Sequence, residues 1–293
     1  MLESCYIFDR VSIMNKAEEK VSKFYNKIGW ETDMGITEDA KKFEDLRESA
    51  KEYLAKCRLR VLRHIPETGD NILDMASGPI QYEEYLQYSR NFKKRYCVDL
   101  SSSALEGAKK KIGDHGVFLK GSFFDIPLEE NFFDCVISLH TIYHIDKDKQ
   151  EQAVRKLIHV TKPGQPIIIV YSNPSKVFKW GTRFITLPFL LLRKTKELLK
   201  RLNKKRREEE GLDLYFYTHP IKWWNRFGDV AANVKIMPWR SLNSDIQKCL
   251  IPNNKIGKKI FNMVFNLEER FPNFFVKYFC YSMIIITKKK PNN

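Results

Sequence analysis

The sequence predicts an α/β fold, a Rossmann-like doubly wound sheet of seven mostly parallel strands with helices on its faces. Short apolar runs alternate with helical patterns between residues 71 and 171, and this alternation is typical of a parallel sheet with right-handed crossovers. The first run ends in Asp74, and small residues follow as far as Gly78. That order predicts a tight loop at the carboxyl edge of the sheet. The second run also ends in an acid, Asp99.

Each element follows from the pattern of its residues. Apolar runs of strand length predict strands at 71–75, 95–99, 117–120, 133–139, 166–171, 234–237 and 280–287. Apolar residues at helical spacing, or residues that follow a cap, predict helices at 16–28, 38–64, 83–90, 148–160 and 255–278. Ser101 should cap one more helix, rich in Ala, Lys and Leu, directly after Asp99.

The chain divides into four predicted parts. They are an N-terminal helical cap (1–66), a Rossmann-like core (67–174), a helical insertion after the fifth strand (175–232) and the completion of the sheet with a second helical insertion (233–293). The insertion contains an apolar run at 184–192, too short to cross a bilayer, which needs about 20 residues. A basic run follows at 193–207. We interpret this insertion as a lid over the second substrate.

The charge is unevenly distributed. Residues 1–172 carry 26 Lys and Arg against 27 Asp and Glu, whereas residues 173–293 carry 25 against 9, and the net charge of the chain is +15. An anionic partner would therefore meet the later part: an anionic membrane touched peripherally, a phosphorylated substrate or, as the less favoured option, nucleic acid. The alternative is a solvated basic surface that aids solubility.

Cysteine usage bears on the compartment. The six cysteines are scattered without a CxxC pair, which favours a reducing compartment and no structural zinc. Residues 1–16 carry acids and lack an unbroken apolar core, so they are not expected to form a secretion signal. We predict a cytoplasmic protein, with peripheral membrane contact as an option. The oligomeric state stays open.

The order and spacing of these segments resemble class I S-adenosylmethionine-dependent methyltransferases, in particular the branch that acts on small molecules such as quinones, sterols and sugars. Residues 71–171 carry the resemblance, which weakens over the last two strands and does not cover the insertion. It implies a strand order of 3-2-1-4-5-7-6 with the last strand antiparallel. It also implies S-adenosylmethionine as the cofactor and S-adenosylhomocysteine as the product.

The loop after the first strand reads acid-x-Gly-x-Gly-x-Gly in that family. Asp74 matches the acid and Gly78 the second glycine, whereas Ala76 and Ile80 stand where the other two glycines are usual. The resemblance implies that Asp74 meets the methionine amino group of the cofactor. It also implies that Ala76, Ser77 and Gly78 lie against the cofactor.

Asp99 is the second cofactor residue. A carboxylate at this place in nucleoside-binding folds accepts hydrogen bonds from both ribose hydroxyls; the alternative is a helix cap. Leu100 would pack on the adenine. The family usually has Gly-Asp-Ala after the third strand, and Ser122 stands here at the position of the acid. We assign Ser122 and Phe123 to the adenine, with Asp125 as the alternate.

The end of the fourth strand supplies the candidates for catalysis. The resemblance implies that Leu139 and His140 lie beside the methionine and sulfonium. His140, Tyr143 or His144 could act as a general base toward an acceptor hydroxyl; the alternative is that they pack under the cofactor. The histidine pair lacks a third ligand, so no metal is predicted. Tyr25 is either a core aromatic or part of a lid over the cofactor.

Three functions remain open at this point. The leading hypothesis is methyl transfer to a small-molecule acceptor, such as a sugar, a glycan or a lipid-linked molecule, by in-line displacement. The first alternative is an RNA methyltransferase that grips phosphates with 193–207 and 288–290, although the fourth strand lacks the Asn/Asp-Pro-Pro-aromatic signature. The second is a non-catalytic binding module, suggested by Ala76, Ile80 and Ser122.

Overall fold

One seven-stranded sheet organises the chain. The computed structural model describes residues 16–25, 30, 32–33, 36–173, 214–279 and 281–291. The predicted apolar run 184–192 and basic run 193–207 lie outside these residues, as does the end of the predicted helix 16–28. The four-part division of the chain stays a prediction.

The strands follow the predicted order. They are β1 (Thr32–Asp33), β2 (Ile36–Thr37), β3 (Gly69–Met75), β4 (Phe92–Asp99), β5 (Gly116–Lys120), β6 (Cys135–Leu139), β7 (Pro166–Ser172), β8 (Ala231–Arg240) and β9 (Tyr281–Lys288). The main sheet has the order β5-β4-β3-β6-β7-β9-β8, and β9 is antiparallel to both of its neighbours. This confirms the seven-stranded fold and its antiparallel last strand. The two-residue strands β1 and β2 pair separately.

Two predicted helices are each interrupted. The helices are α1 (Lys16–Phe24), α2 (Glu38–Phe43), α3 (Glu48–Leu62), α4 (Glu83–Leu86), α5 (Ser102–Ile112), α6 (Gln150–Val160), α7 (Ser244–Leu250), α8 (Lys255–Arg270) and α9 (Pro272–Tyr278). The predicted helix 38–64 breaks where Asp45 accepts hydrogen bonds from the backbone and guanidinium of Arg47. The later helix breaks before Pro272, because proline disfavours helical geometry in the residue that precedes it. Ser101 caps α5 as predicted.

The core lies on both faces of the sheet. Residues 167–171 of β7 are fully buried, as expected for a central strand covered by helices on both faces. Trp224 and Phe227 pack into the larger core cluster. They belong to a 3₁₀ helix, Ile221–Asp229, that follows Pro220.

The carboxyl ends of the parallel strands position the site. β3, β4 and β6 end at Met75, Asp99 and Leu139 along one edge of the sheet. β8 ends at the same edge, where Arg240 is the register partner of Tyr281 at the start of β9. No helix in the described ranges is long and apolar enough to cross a membrane.

Candidate cofactor and active site

A cavity lies at the carboxyl edge of the sheet, bounded by the strand ends and by the N-terminal helices. Ten of the predicted cofactor residues line it: Tyr25, Asp74, Ala76, Ser77, Gly78, Asp99, Leu100, Phe123, Leu139 and His140. The candidate bases Tyr143 and His144 line the same cavity. The sheet therefore brings the predicted cofactor residues and the predicted catalytic residues into one space.

The loop after β3 keeps glycine-like geometry even at the two positions where other residues replace the family's glycines. Ala76, Gly78 and Ile80 all have positive φ, at 57°, 56° and 50°. This left-handed region is unfavourable for residues other than glycine, and most unfavourable for β-branched residues. Ile80 is nevertheless fully buried, in a cluster with Cys97 and Leu105. We infer that this packing offsets the strain.

Asp74 is held by a buried arginine that sequence reasoning missed. Arg95, on the neighbouring strand β4, donates from Nε and Nη2 to Asp74 Oδ2, and both side chains are buried. Arg95 Nη1 also donates to the carbonyl of Tyr85, at 2.6 Å. Since Oδ2 is engaged with Arg95, Oδ1 of Asp74 is the atom suited to the cofactor's amino group.

Asp99 is a carboxylate partly desolvated at the end of β4. Its Oδ2 accepts from the backbone N–H of Gly78 at 2.9 Å, and its Oδ1 accepts from that of Ser101 at 2.8 Å. Burial raises the pKa of Asp99 to about 6, although these backbone hydrogen bonds act in the opposite direction. Each carboxylate oxygen can accept a second hydrogen bond, so the residue fits a pair of ribose hydroxyls. The same contact to Ser101 makes Asp99 part of the turn before α5.

Two aromatic rings from the N-terminal region cover the glycine loop. Tyr25 stacks on Trp30 at 4.8 Å between ring centroids, and its hydroxyl donates to Asp39 Oδ1 at 3.3 Å. A Cβ added to Gly78 would lie 2.9 Å from Trp30 Cη2. Glycine is thus favoured by the positive φ and required by the close approach of the ring. Tyr25 therefore lines the cavity beside the predicted cofactor loop and is not solely a core residue.

The prediction for Ser122 needs correction. Its side chain does not line the cavity, because its hydroxyl donates to Glu18 and also accepts from the backbone N–H of Phe124. Asp125 does not line the cavity either. Glu18, on α1, is buried and lines the cavity near Phe123. The N-terminal helix therefore brings a carboxylate, that of Glu18, to the side of the cavity where the family has an acid after the third strand.

His140 and Tyr143 form a pair under the cavity. His140 Nδ1 lies 3.1 Å from the Tyr143 hydroxyl. Burial, and then the charge of Arg240, hold the pKa of His140 well below its usual value. Burial raises the pKa of Tyr143 well above its usual value. Tyr143 is therefore unsuited to act as a base at neutral pH, whereas His140 is a neutral imidazole there.

His144 is oriented by the backbone. Its Nδ1 lies 2.7 Å from the carbonyl oxygen of Tyr215, so this nitrogen carries the proton. His140 and His144 do not share a helix face, because His140 has a φ of 60° and precedes a 3₁₀ turn, Ile142–His144. Over the described ranges, no group of three or more His, Cys, Asp or Glu side chains could hold a metal ion.

The far end of the cavity contains residues that the sequence gave no reason to select. Glu44, Arg240 and Tyr281 line this end. Arg240 and Tyr281 sit where β8 and β9 reach the active edge. Their position at the borders of the last two predicted strands is the signal that could have identified them. Glu44 carried no such signal, because the predicted helix 38–64 ran through it.

Fold and cavity together define a nucleoside-binding α/β domain, in which an acid at the end of the second core strand faces the cavity and a left-handed loop follows the first. Residues 73–169 match the methyltransferase domain family. Residues 73–169 thus form a methyltransferase domain with the class I fold, and S-adenosylmethionine is the cofactor of this class.

Individual relatives are distant. The chain is 25% identical to an uncharacterised methyltransferase of Geobacillus sp. (strain WCH70) over 26% of its length, and 25% identical to one of Anoxybacillus flavithermus over 36%. It covers 36% and 48% of those two relatives. Among solved structures, it superposes on a complex of the Haloferax volcanii Trm112 methyltransferase activator and a putative methyltransferase. The TM-score is 0.50, with 14% identity over 82% of this chain and 92% of the other. This likeness concerns the fold.

Proposed function

We propose that this protein transfers the methyl group of S-adenosylmethionine to a small-molecule acceptor. The observation that carries the proposal is the continuity of the cavity from Asp99 and Gly78, at the cofactor end, to His140 and Arg240 at the other. When bound, S-adenosylmethionine supplies an activated methyl group that an in-line nucleophile can take. Such a reaction needs mainly positioning, which can contribute about 7–11 kcal/mol in favourable cases.

We assign distinct roles to several of the residues that line the cavity. Asp99 binds the ribose hydroxyls, and Asp74, oriented by Arg95, binds the amino group through Oδ1. Tyr25 covers the cofactor. His140 receives the acceptor proton where the acceptor carries one. Its lowered pKa makes it a weak base, which suits an acceptor whose own proton is acidic.

Aromatic walls favour a small acceptor over RNA. The rings of Tyr82, Tyr85, Tyr143, Phe216 and Tyr281 line the cavity, and apolar walls of this kind are typical of small-molecule sites. One of the terminal lysines proposed to grip RNA is already engaged: Lys288 Nζ donates to Asn131 Oδ1 and to the carbonyl of His159.

Two measurements test the proposal. Calorimetry with S-adenosylhomocysteine should show binding by the wild type and a loss of about tenfold or more in Asp99→Ala, because hydrogen bonds to a charged group contribute about 1.5–3 kcal/mol. Absence of binding by the wild type would favour a non-catalytic module. Tritiated S-adenosylmethionine should then label the small-molecule fraction of a cell lysate. Label confined to the RNA fraction would refute the small-molecule proposal.

We also propose that the protein works in a reducing compartment. The buried free thiols of Cys57, Cys97 and Cys135 support this proposal.

We further propose that the protein touches anionic membranes peripherally. An apolar and basic surface over residues 255–278, formed by α8, α9 and the residue between them, supports this proposal; it exposes Ile256, Met263, Phe271, Phe274, Lys255, Lys259 and Lys277. Sedimentation with phosphatidylserine vesicles should exceed that with phosphatidylcholine vesicles. Equal sedimentation with both would reject the membrane contact.

A further inference from the structure

Arg240 is a buried arginine with unused hydrogen-bonding capacity. It ends β8, is 2% exposed and lines the cavity. Its Nη1 donates to Glu44 Oε2 at 3.1 Å. Its Nε has no hydrogen-bond partner among the residues that the structure describes. A guanidinium presents five N–H donors, and a buried donor left without a partner is costly.

The negative charge of Glu44 does not fully neutralise the positive charge of Arg240. The same oxygen, Oε2, also accepts from Arg58 Nη2 at 3.4 Å. Arg58 in turn has a second acid within reach, Glu84 at 3.5 Å, and its guanidinium lies 3.5 Å from the centroid of the Tyr82 ring. The charge of Arg58 is therefore paired with two acids, whereas Arg240 lines the cavity with only a shared carboxylate as its acidic partner and with its buried Nε unpaired.

The surroundings hold the guanidinium of Arg240 in place. Its central carbon lies 5.0 Å from the Tyr281 ring centroid and 5.1 Å from that of Trp239. Trp239 also packs edge-to-face on His140, with 4.4 Å between ring centroids. These rings restrict the side chain and exclude water from it. Such fixing favours recognition of an anion, because little side-chain freedom remains to be lost on binding.

We propose that Arg240 binds an anionic group of the methyl acceptor, a carboxylate or a phosphate, and so selects acidic small molecules. This inference rests on the proposed function and deepens it. The planar guanidinium suits two parallel hydrogen bonds to either group. Tyr143 and Tyr281 line the space next to it and offer apolar contact to the rest of the acceptor.

The test is a binding comparison on protein saturated with S-adenosylhomocysteine. The probes are phenylacetate, phenyl phosphate and the neutral analogue 2-phenylethanol, measured by calorimetry. The wild type should bind at least one of the two acids about tenfold or more tightly than the alcohol. Arg240→Gln should lose this preference, and Arg240→Lys should retain part of it. Which acid binds tells whether the site prefers a carboxylate or a phosphate.

Two further variants act as controls. Arg226→Gln removes an exposed guanidinium that pairs with Glu151 outside the cavity, and it should leave all affinities unchanged. Glu44→Gln removes the shared carboxylate and should tighten binding of the acids, which keeps the test decisive if Arg240→Gln fails to fold.

The outcomes separate this inference from the function on which it rests. Equal affinity of the wild type for acids and alcohol, or an intact preference in folded Arg240→Gln, overturns the inference while binding of S-adenosylhomocysteine stands. Failure of the wild type to bind S-adenosylhomocysteine overturns the proposed function and this inference together.

Discussion

Replacement of Asp99 should separate the stability of the fold from cofactor binding. Burial raises the pKa of this carboxyl from 3.8 to about 6. The folded protein therefore holds the proton more tightly than the unfolded chain. The cost of burying the charge is absent below about pH 4, develops between pH 4 and 6, and is complete above pH 6.

The magnitude follows from that shift. Two pKa units correspond to about 3 kcal/mol. Part of Asp99 faces the cavity, where water screens the charge, and asparagine would lose one backbone hydrogen bond worth about 1 kcal/mol. We therefore expect Asp99→Asn to raise the free energy of unfolding by about 1 kcal/mol at pH 7.5 and by less at pH 5. Urea denaturation at the two pH values measures this difference.

Cofactor binding should change in the opposite direction. The ionised carboxylate accepts the ribose hydroxyls, so protonation of Asp99 competes with binding. Affinity of the wild type for S-adenosylhomocysteine should fall about tenfold from pH 7 to pH 5, one unit below the pKa of about 6. Asp99→Asn should bind weakly at both pH values and show no such slope. A variant that binds as tightly as the wild type, or a wild type whose affinity is the same at both pH values, would refute this reasoning.

Three more predictions follow from single contacts. Ala76→Gly should raise the free energy of unfolding by about 0.5–1 kcal/mol in urea, because glycine relieves the strain at a φ of 57°; a loss of stability would contradict this. Glu18→Gln should weaken S-adenosylhomocysteine binding by about tenfold in calorimetry, and Ser122→Ala should do so much less; the reverse ranking would restore Ser122 as the adenine contact. Glu268→Gln should destabilise the protein by about 2–3 kcal/mol, because it leaves the buried Arg60 with a weaker partner; an unchanged urea midpoint would show that Glu269 suffices.

The sequence predicted the features that depend on neighbouring residues. The cap at Ser101 and the acid at the end of β4 follow from local patterns and from spacing, whereas the strand order was implied by the family resemblance. The strained geometry at Ala76 and Ile80 falls on the two positions where this chain lacks the family's glycines. A departure from the motif therefore located real backbone strain, although the packing that offsets it could not be foreseen.

Contacts between distant parts of the chain could not be predicted. Glu18 meets Ser122 across 104 positions, and Glu44 meets Arg240 across 196. No periodicity links such pairs, so the sequence assigned the adenine contact to Ser122. The break between α2 and α3 has the same cause, since Arg47 donates to backbone carbonyls of the α7 region about 200 residues away. Tertiary contacts thus overrode helical spacing.

The two ends of the cavity are built by different parts of the molecule. β3, β4 and β6 supply the cofactor end. The acceptor end depends on Arg240, and the residue after it is fixed by the late helix α8, since Ser241 donates its backbone N–H to Glu268 at 2.9 Å. Glu268 also binds Tyr53 and Arg60 of α3, so α3, α8 and the end of β8 form one buried polar network. Changes in α3 or α8 should therefore alter acceptor binding, because they shift the end of β8, while leaving the cofactor end intact.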